Sequence, residues 1–284
     1  MRPPHFEYQR PQSVEEALRV LAEQPAYKPL AGGHSLIPAM NLRLAQPEGL
    51  LDLGRLDDLR GIRFDQNQLR IGALTTHEEV AASPHVRKHC PALSDAASVI
   101  GDPQVRAWGT LGGNLAHADP ASDPPPVIVA CEGTIQLTNQ SGSREVAAED
   151  FFIDIFTTAT GEGELLTEII VPSQANRKSA YLKLPHPASR YPVVGVCVVL
   201  DWDGVSCSRA RVAIGGATGK ATRCHQAEGV LTGSDLGEET MRDAERVISA
   251  ELGDDLLADH YASAEYRRAM AGVFLKRSVK AALG

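Results

Sequence analysis

Two short stretches carry the residues best suited to chemistry. One is Ala31-Gly32-Gly33-His34-Ser35; the other is Thr110-Leu111-Gly112-Gly113-Asn114, followed by Ala116, His117 and Asp123. Consecutive amides in glycine-rich turns form concave nests that bind anions such as phosphate. Glycine also permits positive φ and close approach of the backbone to a ligand. Ser35 and Thr110 add hydroxyls, so two such turns would suit a pyrophosphate held from both sides. A single glycine pair is ordinary turn material, and on chemistry alone both the turn and the anion site stay open. The G-x-G-x-x-G dinucleotide fingerprint is missing. Its look-alike, IGGATGK at 214–220, follows a hairpin strand and reads as a connector. His117 and Asp119 are spaced as metal ligands could be, yet Asp119-Pro120 better suits a helix cap or a turn, and no metal site is assigned.

The elements around these stretches follow from pattern. SVEEALRVLAEQP opens with a capping box, Ser13 to Glu16, and places Val14, Leu18 and Leu21 at helical spacing. YKPL and GLLDL read as strands, and GIRFDQNQLRIGA as a hairpin around Asp65-Gln66-Asn67. Thr76 to Glu79 is a second capping box, and a helix runs from Pro91 towards Gly101. GTIQLTNQSGSREVAA reads as a hairpin turned at Ser141-Gly142-Ser143, and ELLTEIIVP as a strand closing this half. Near residue 175 a polar linker leads to three strand patterns and then to amphipathic helices, an α+β arrangement separate from the first half. Asp203-Gly204 turns the last two strands into a hairpin.

Composition narrows the class. A net charge of −8 argues against a nucleic-acid surface. The longest apolar run, VVGVCVVL at 193–200, is strand-length and far short of a bilayer span. The opening MRPPHFEYQRP has no apolar core of a secretory signal. Cys90, Cys131, Cys197, Cys207 and Cys224 form no C-x-x-C pair. They read as ordinary thiols of a reducing cytoplasm, with no metal cluster of the chain's own.

At AGGHSLIPAMNLR and TLGGNLAHADPASDPPP the sequence resembles the two FAD-binding signatures of the medium, flavin-carrying subunit of molybdenum hydroxylases. That group includes carbon monoxide, xanthine and nicotinate dehydrogenases. The resemblance extends through PPHFEYQRPQSVEEAL, LRIGALTTHEEVAAS and the half from about residue 177. It implies an α+β chain: a p-cresol methylhydroxylase-type FAD-binding domain over 1–175, with subdomains of about 1–55 and 56–175. A smaller α/β carbon monoxide dehydrogenase flavoprotein C-terminal domain would occupy 176–284. It implies that Ala31, Gly32, Gly33, His34 and Ser35 surround the FAD pyrophosphate with Thr110, Leu111, Gly112, Gly113 and Asn114. Leu111 stands where isoleucine is more frequent. At Gly113 a side chain is expected to occupy the place of a phosphate oxygen and to block a left-handed backbone.

By the same resemblance Ala116, His117 and Asp123 lie along the ribityl or adenosine part. Tyr191 matches the position of an aromatic ring against the flavin, and Lys183 is a candidate contact near that ring. Trp108 departs from the polar residues expected before the second motif, and suits either the cofactor or a partner surface. The subunits of 4-hydroxybenzoyl-CoA reductase carry a cysteine-rich insert that this chain lacks.

The implied activity is oxidoreduction within a complex, with no catalytic acid, base or nucleophile on this chain. A large molybdenum subunit would hydroxylate the organic substrate, and a small subunit with [2Fe–2S] clusters would feed electrons to non-covalent FAD. NAD⁺, a quinone or oxygen would accept them, and the assembly would be a dimer of heterotrimers. A stand-alone flavin oxidase would need a long substrate domain for which 284 residues leave little room. A non-catalytic scaffold that has lost flavin sits badly with intact glycines in both motifs.

Overall fold

The structure, a computed structural model, describes residues 2–284. The described residues build three larger sheets, each with its own helices, and a two-stranded one, Phe152–Asp154 with Thr157–Thr158. In the first, Gly49–Asp52 lies between Glu7–Gln9 and Tyr27–Leu30, all parallel. The helix Val14–Glu23 buries Ala17, Leu18, Val20 and Leu21 beside Leu51, Leu53, Leu56 and Leu59. Its start is capped as the pattern predicts, Ser13 Oγ accepting from Glu16 N at 3.1 Å. The reciprocal bond is displaced by one residue: the Glu16 carboxylate accepts from Gln12 N rather than from Ser13 N.

The second sheet is antiparallel and five-stranded, in the order Ile62–Asp65, Gln68–Gly72, Leu165–Pro172, Thr134–Asn139, Gly142–Ala147. Its first hairpin turns on Gln66 and Asn67, both at positive φ, the signature of a type I′ turn. Its second turns on Gln140-Ser141, ahead of the expected Ser141-Gly142-Ser143, because Asn139 pairs with Gly142 and the Asn139 side chain accepts from Ser141 N. Six short helices between residues 77 and 130 cover one face. Leu69, Ile71, Leu93, Leu115, Ile128, Ile135 and Phe151 are fully buried there.

The third sheet is antiparallel, in the order Lys178–Pro185, Pro192–Trp202, Cys207–Gly215, Thr222–Arg223. Helices His225–Leu231, Glu238–Glu251 and Ala264–Leu283 pack on it. The strand Pro192–Trp202 explains the long apolar run. Val194, Val196, Val198 and Leu200 join the helical core, while Cys197 and Val199 join the core of the five-stranded sheet. Successive side chains of a strand point to opposite faces, so burial on both sides demands an apolar residue at nearly every position.

Candidate functional site

The segment 73–77 and the segment 109–112 run against each other. Leu111 N donates to Thr75 O, Gly112 N to Ala73 O and His77 N to Gly109 O, each at 2.9 Å. Thr76 closes a complete capping box with Glu79. The second glycine motif, read from the sequence as a glycine-rich turn, is the first turn of a helix, Leu111–His117, with Thr110 as its cap. Thr110 Oγ1 accepts from Gly113 N at 3.2 Å. Gly113 is therefore helical, and the left-handed glycine of the pair of motifs is Gly33, at φ 72°. Glycine is needed at 112 because a Cβ would lie 2.6 Å from the Ala73 Cβ, and at 113 because it would press on Thr110 Oγ1 at 2.7 Å.

The first motif sits directly against this turn. A Cβ on Gly32 would come within 2.1 Å of Trp108 O. One on Gly113 would stand 3.3 Å from the Ala31 Cβ. The two motifs, far apart in sequence, thus touch. Their amides differ in what they hold. Those of Leu111, Gly112 and Gly113 donate to protein acceptors. Among the described residues, the amides of Gly32, Gly33, His34 and Ser35 have no such acceptor. The His34 ring turns back so that Nδ1 donates to Gly32 O at 2.9 Å, and Ser35 starts the helix Leu36–Asn41 without capping it.

Beside these amides opens a cavity of about 420 Å³. Gly32, Gly33 and Thr110 line it, together with Arg10, Arg60 and Trp108. Arg10 Nε pairs with Asp52 at 3.2 Å. Asp52 also takes the Tyr8 hydroxyl and, at 2.9 Å, Gly54 N. The terminal nitrogens of Arg10 donate to no protein group among the described residues, whereas Arg60 spends its own on Leu74 O and Gly54 O. Trp108, 66% exposed, stands at the rim. Arg10, Asp52 and Arg60 were not legible as site residues. Each is a lone charge in an unremarkable context, and only the fold brings them to the glycine turn.

The remaining expected residues form a second group. Asp123 is buried; its carboxylate accepts from Tyr181 OH at 2.8 Å and from Lys183 Nζ at 2.8 Å. Lys183 Nζ also donates to Val99 O. Burial pushes the Asp123 carboxyl up and the Lys183 ammonium down, and their contact opposes both shifts. Lys183, expected near a ring, is thus enclosed and already paired. A Cβ on Gly195 would meet Tyr181 OH at 2.3 Å, so that glycine makes room for the hydroxyl. Asn114 accepts from Ser122 Oγ at 2.7 Å. Ala116 is exposed. His117 lies against Phe156, centroids 5.0 Å apart, and burial lowers its pKa. Asp119 shapes a turn through Ala121 N. Tyr191 is 45% exposed, and Asp119 and Asp123 help raise its pKa after burial.

A parallel and an antiparallel α+β unit touch at the paired glycine motifs and a third sheet follows, the arrangement that the resemblance implies for a flavin-binding chain. Residues 4–174 match the family described as "FAD binding domain in molybdopterin dehydrogenase", and residues 179–282 match "CO dehydrogenase flavoprotein C-terminal domain". The chain belongs to this family of FAD-binding molybdenum hydroxylase subunits.

It is 39% identical to the carbon monoxide dehydrogenase medium chain of Hydrogenophaga pseudoflava, over 99% of this chain and 98% of that one. It is 37% identical to the glyceraldehyde dehydrogenase medium chain of Sulfolobus acidocaldarius, over 99% of both. Among solved structures, carbon monoxide dehydrogenase from H. pseudoflava lacking the Mo-pyranopterin moiety superposes with a TM-score of 0.96. That match has 39% identity and covers 100% of this chain and 99% of that chain. Quinoline 2-oxidoreductase from Pseudomonas putida 86 gives 0.94 at 30% identity, covering 100% and 99%. The site fits the family's cofactor: unpartnered amides, a cation and a hydroxyl converge on one cavity at a left-handed glycine.

Proposed function

We propose that this chain is the electron-transfer subunit of a multisubunit molybdenum hydroxylase, holding FAD non-covalently between its two glycine motifs. When bound, FAD supplies the exchange between one-electron and two-electron carriers, and that chemistry is the cofactor's own. The chain's part is to seat and polarise it. The amides of Gly32, Gly33, His34 and Ser35 are the donors for the pyrophosphate, and they carry the reading because no acceptor among the described residues uses them. Arg10 supplies the positive charge facing that anion, held in place through Asp52, as charge-assisted bonds to phosphate require. The Thr110 hydroxyl adds a donor. Leu111, Gly112 and Gly113 brace the turn, and Ala31 packs beneath it. Asn114, Ala116, His117 and Asp123 lead from there towards Lys183 and Tyr191 at the ring end.

Such a site needs electrons from elsewhere. We place their source on a small [2Fe–2S] subunit and the organic chemistry on a large molybdenum subunit, in a dimer of heterotrimers. NAD⁺, a quinone or oxygen is the final acceptor. The similarity to named medium chains supports this assignment. The FAD-binding domain spans 1–175 and the C-terminal domain 176–284. Five free, buried cysteines suit a reducing cytoplasm.

The test is the visible spectrum of the purified chain with FAD, followed by acid precipitation. All yellow colour should pass to the supernatant. Colour kept in the pellet would overturn non-covalent binding. A chain that takes up no flavin would favour the scaffold reading.

A further inference from the structure

We propose that Arg267 is a positioning residue, one that fixes the turn carrying Tyr191 and so sets one wall of the flavin site. The inference rests on the flavin reading for its consequence, though not for its geometry. Arg267 is 5% exposed and lies on the apolar face of the helix Ala264–Leu283, in phase with Ala271, Phe274, Leu275 and Ser278. A guanidinium is costly to bury, and an apolar side chain would pack that face without the cost. What the arginine adds is a fork of donors. Its Nη1 donates to Val193 O at 2.6 Å and to Gly216 O at 2.8 Å. Both carbonyls lie beyond Gly195–Gly215, the last rung joining their two strands. Gly216 N in turn donates to Pro120 O, so the same fork anchors the segment leading to Asp123.

The other end of the turn is tied to the same arginine by a second route. Arg267 Nη2 pairs with Asp259. The Asp259 carboxylate accepts from Tyr261 N and Ala262 N, both at 2.8 Å. The Tyr261 ring meets the His186 ring edge-on, with centroids 4.6 Å apart. His186 N donates to Tyr191 O, and Arg190 N donates to His186 O, each at 2.8 Å. The contacts therefore close a ring: Arg267, Asp259, Tyr261, His186, Tyr191, Val193 and back to Arg267. Tyr191 and Tyr261 are each 45% exposed, and Tyr191 is held from both sides, through its own carbonyl at His186 and through Val193 at Arg267.

Two readouts test this. The first needs no flavin: 3-fluorotyrosine is placed at 191 and its fluorine resonance is recorded in the full chain. The wild type should give one narrow line, and Arg267→Met, which keeps the stem but loses the donors, should give a broad or multiple one. If Arg267→Met does not fold, Asp259→Asn, which removes only the ion pair, should shift the line in the same direction. An unchanged line in a folded variant would overturn the proposal.

The second readout is FAD affinity of Arg267→Met, Tyr191→Ala and the double variant. Each single change should weaken binding about tenfold. The double should lose no more than the larger single, because the two residues act in one chain. Losses that multiply in the double, or no loss on Tyr191→Ala, would overturn it. A wild type that binds no FAD refutes the flavin reading instead, and the fluorine line then decides the role of Arg267.

Discussion

Gly32 and Gly229 show how one residue type does opposite things. A Cβ on Gly32 would overlap Trp108 O and approach the Gly109 Cα, both backbone atoms that cannot swing away. Gly229 lies inside the helix His225–Leu231 with nothing within 4 Å of the same added atom. Gly32→Ala should therefore force the two glycine motifs apart. It should cost about 3 kcal/mol, the upper range for overpacking, and abolish flavin retention. Gly229→Ala should stabilise by about 0.5–1 kcal/mol, since alanine is the better helix former, with flavin content unchanged. Chemical denaturation and flavin-to-protein absorbance ratios check both. Equal effects at the two positions would remove the packing argument for the first motif.

At the scale of the element, the helix His77–Ala82 ties the second motif to the sheet, and its first residue is an unusual choice. His77 is 3% exposed, its Nδ1 has no partner among the described residues, and burial lowers its pKa to about 4. Below pH 6.5 the unfolded chain takes a proton that the folded chain refuses until about pH 4. Stability should fall across that window by up to about 3 kcal/mol, with nothing lost above it. His77→Gln should flatten that part of the stability–pH curve whatever its effect at pH 7. Urea unfolding at steps between pH 4 and 7 gives the slopes, and identical slopes would acquit His77.

The elements themselves were largely legible. Ser13, Thr76, Gln66-Asn67 and Asp203-Gly204 act locally, through caps and turns whose chemistry is written in adjacent residues. The second glycine motif read as an irregular turn rather than a helix start because glycine is a poor helix former. There the close approach to Ala73 outweighs propensity, and that contact is 39 residues away in the chain. Arg10 and Asp52 were illegible for the same reason: their meaning lies in a cavity assembled from remote segments. Arg267 left a trace, a charge standing in phase with the apolar face of its own helix.

The whole molecule carries a site with donors for a cofactor and, among its described residues, no group of three or more His, Cys, Asp or Glu placed to hold a metal. In anaerobic solution with aldehydes, purines, N-heterocycles or carbon monoxide, the chain alone should keep its flavin absorbance. Bleaching should begin only after iron–sulfur and molybdenum subunits are added. Bleaching by any of these compounds without them would favour a stand-alone oxidase.

The strand Pro192–Trp202 offers its Cys197 and Val199 to one core and its Val196 and Val198 to the other. A party wall of this kind has no outside. Were the gene cut near codon 176, each product would present to water a surface meant for its sibling, and sticky fragments would be the outcome. Shuffling either segment alone into a new gene would demand a fresh lining for that wall.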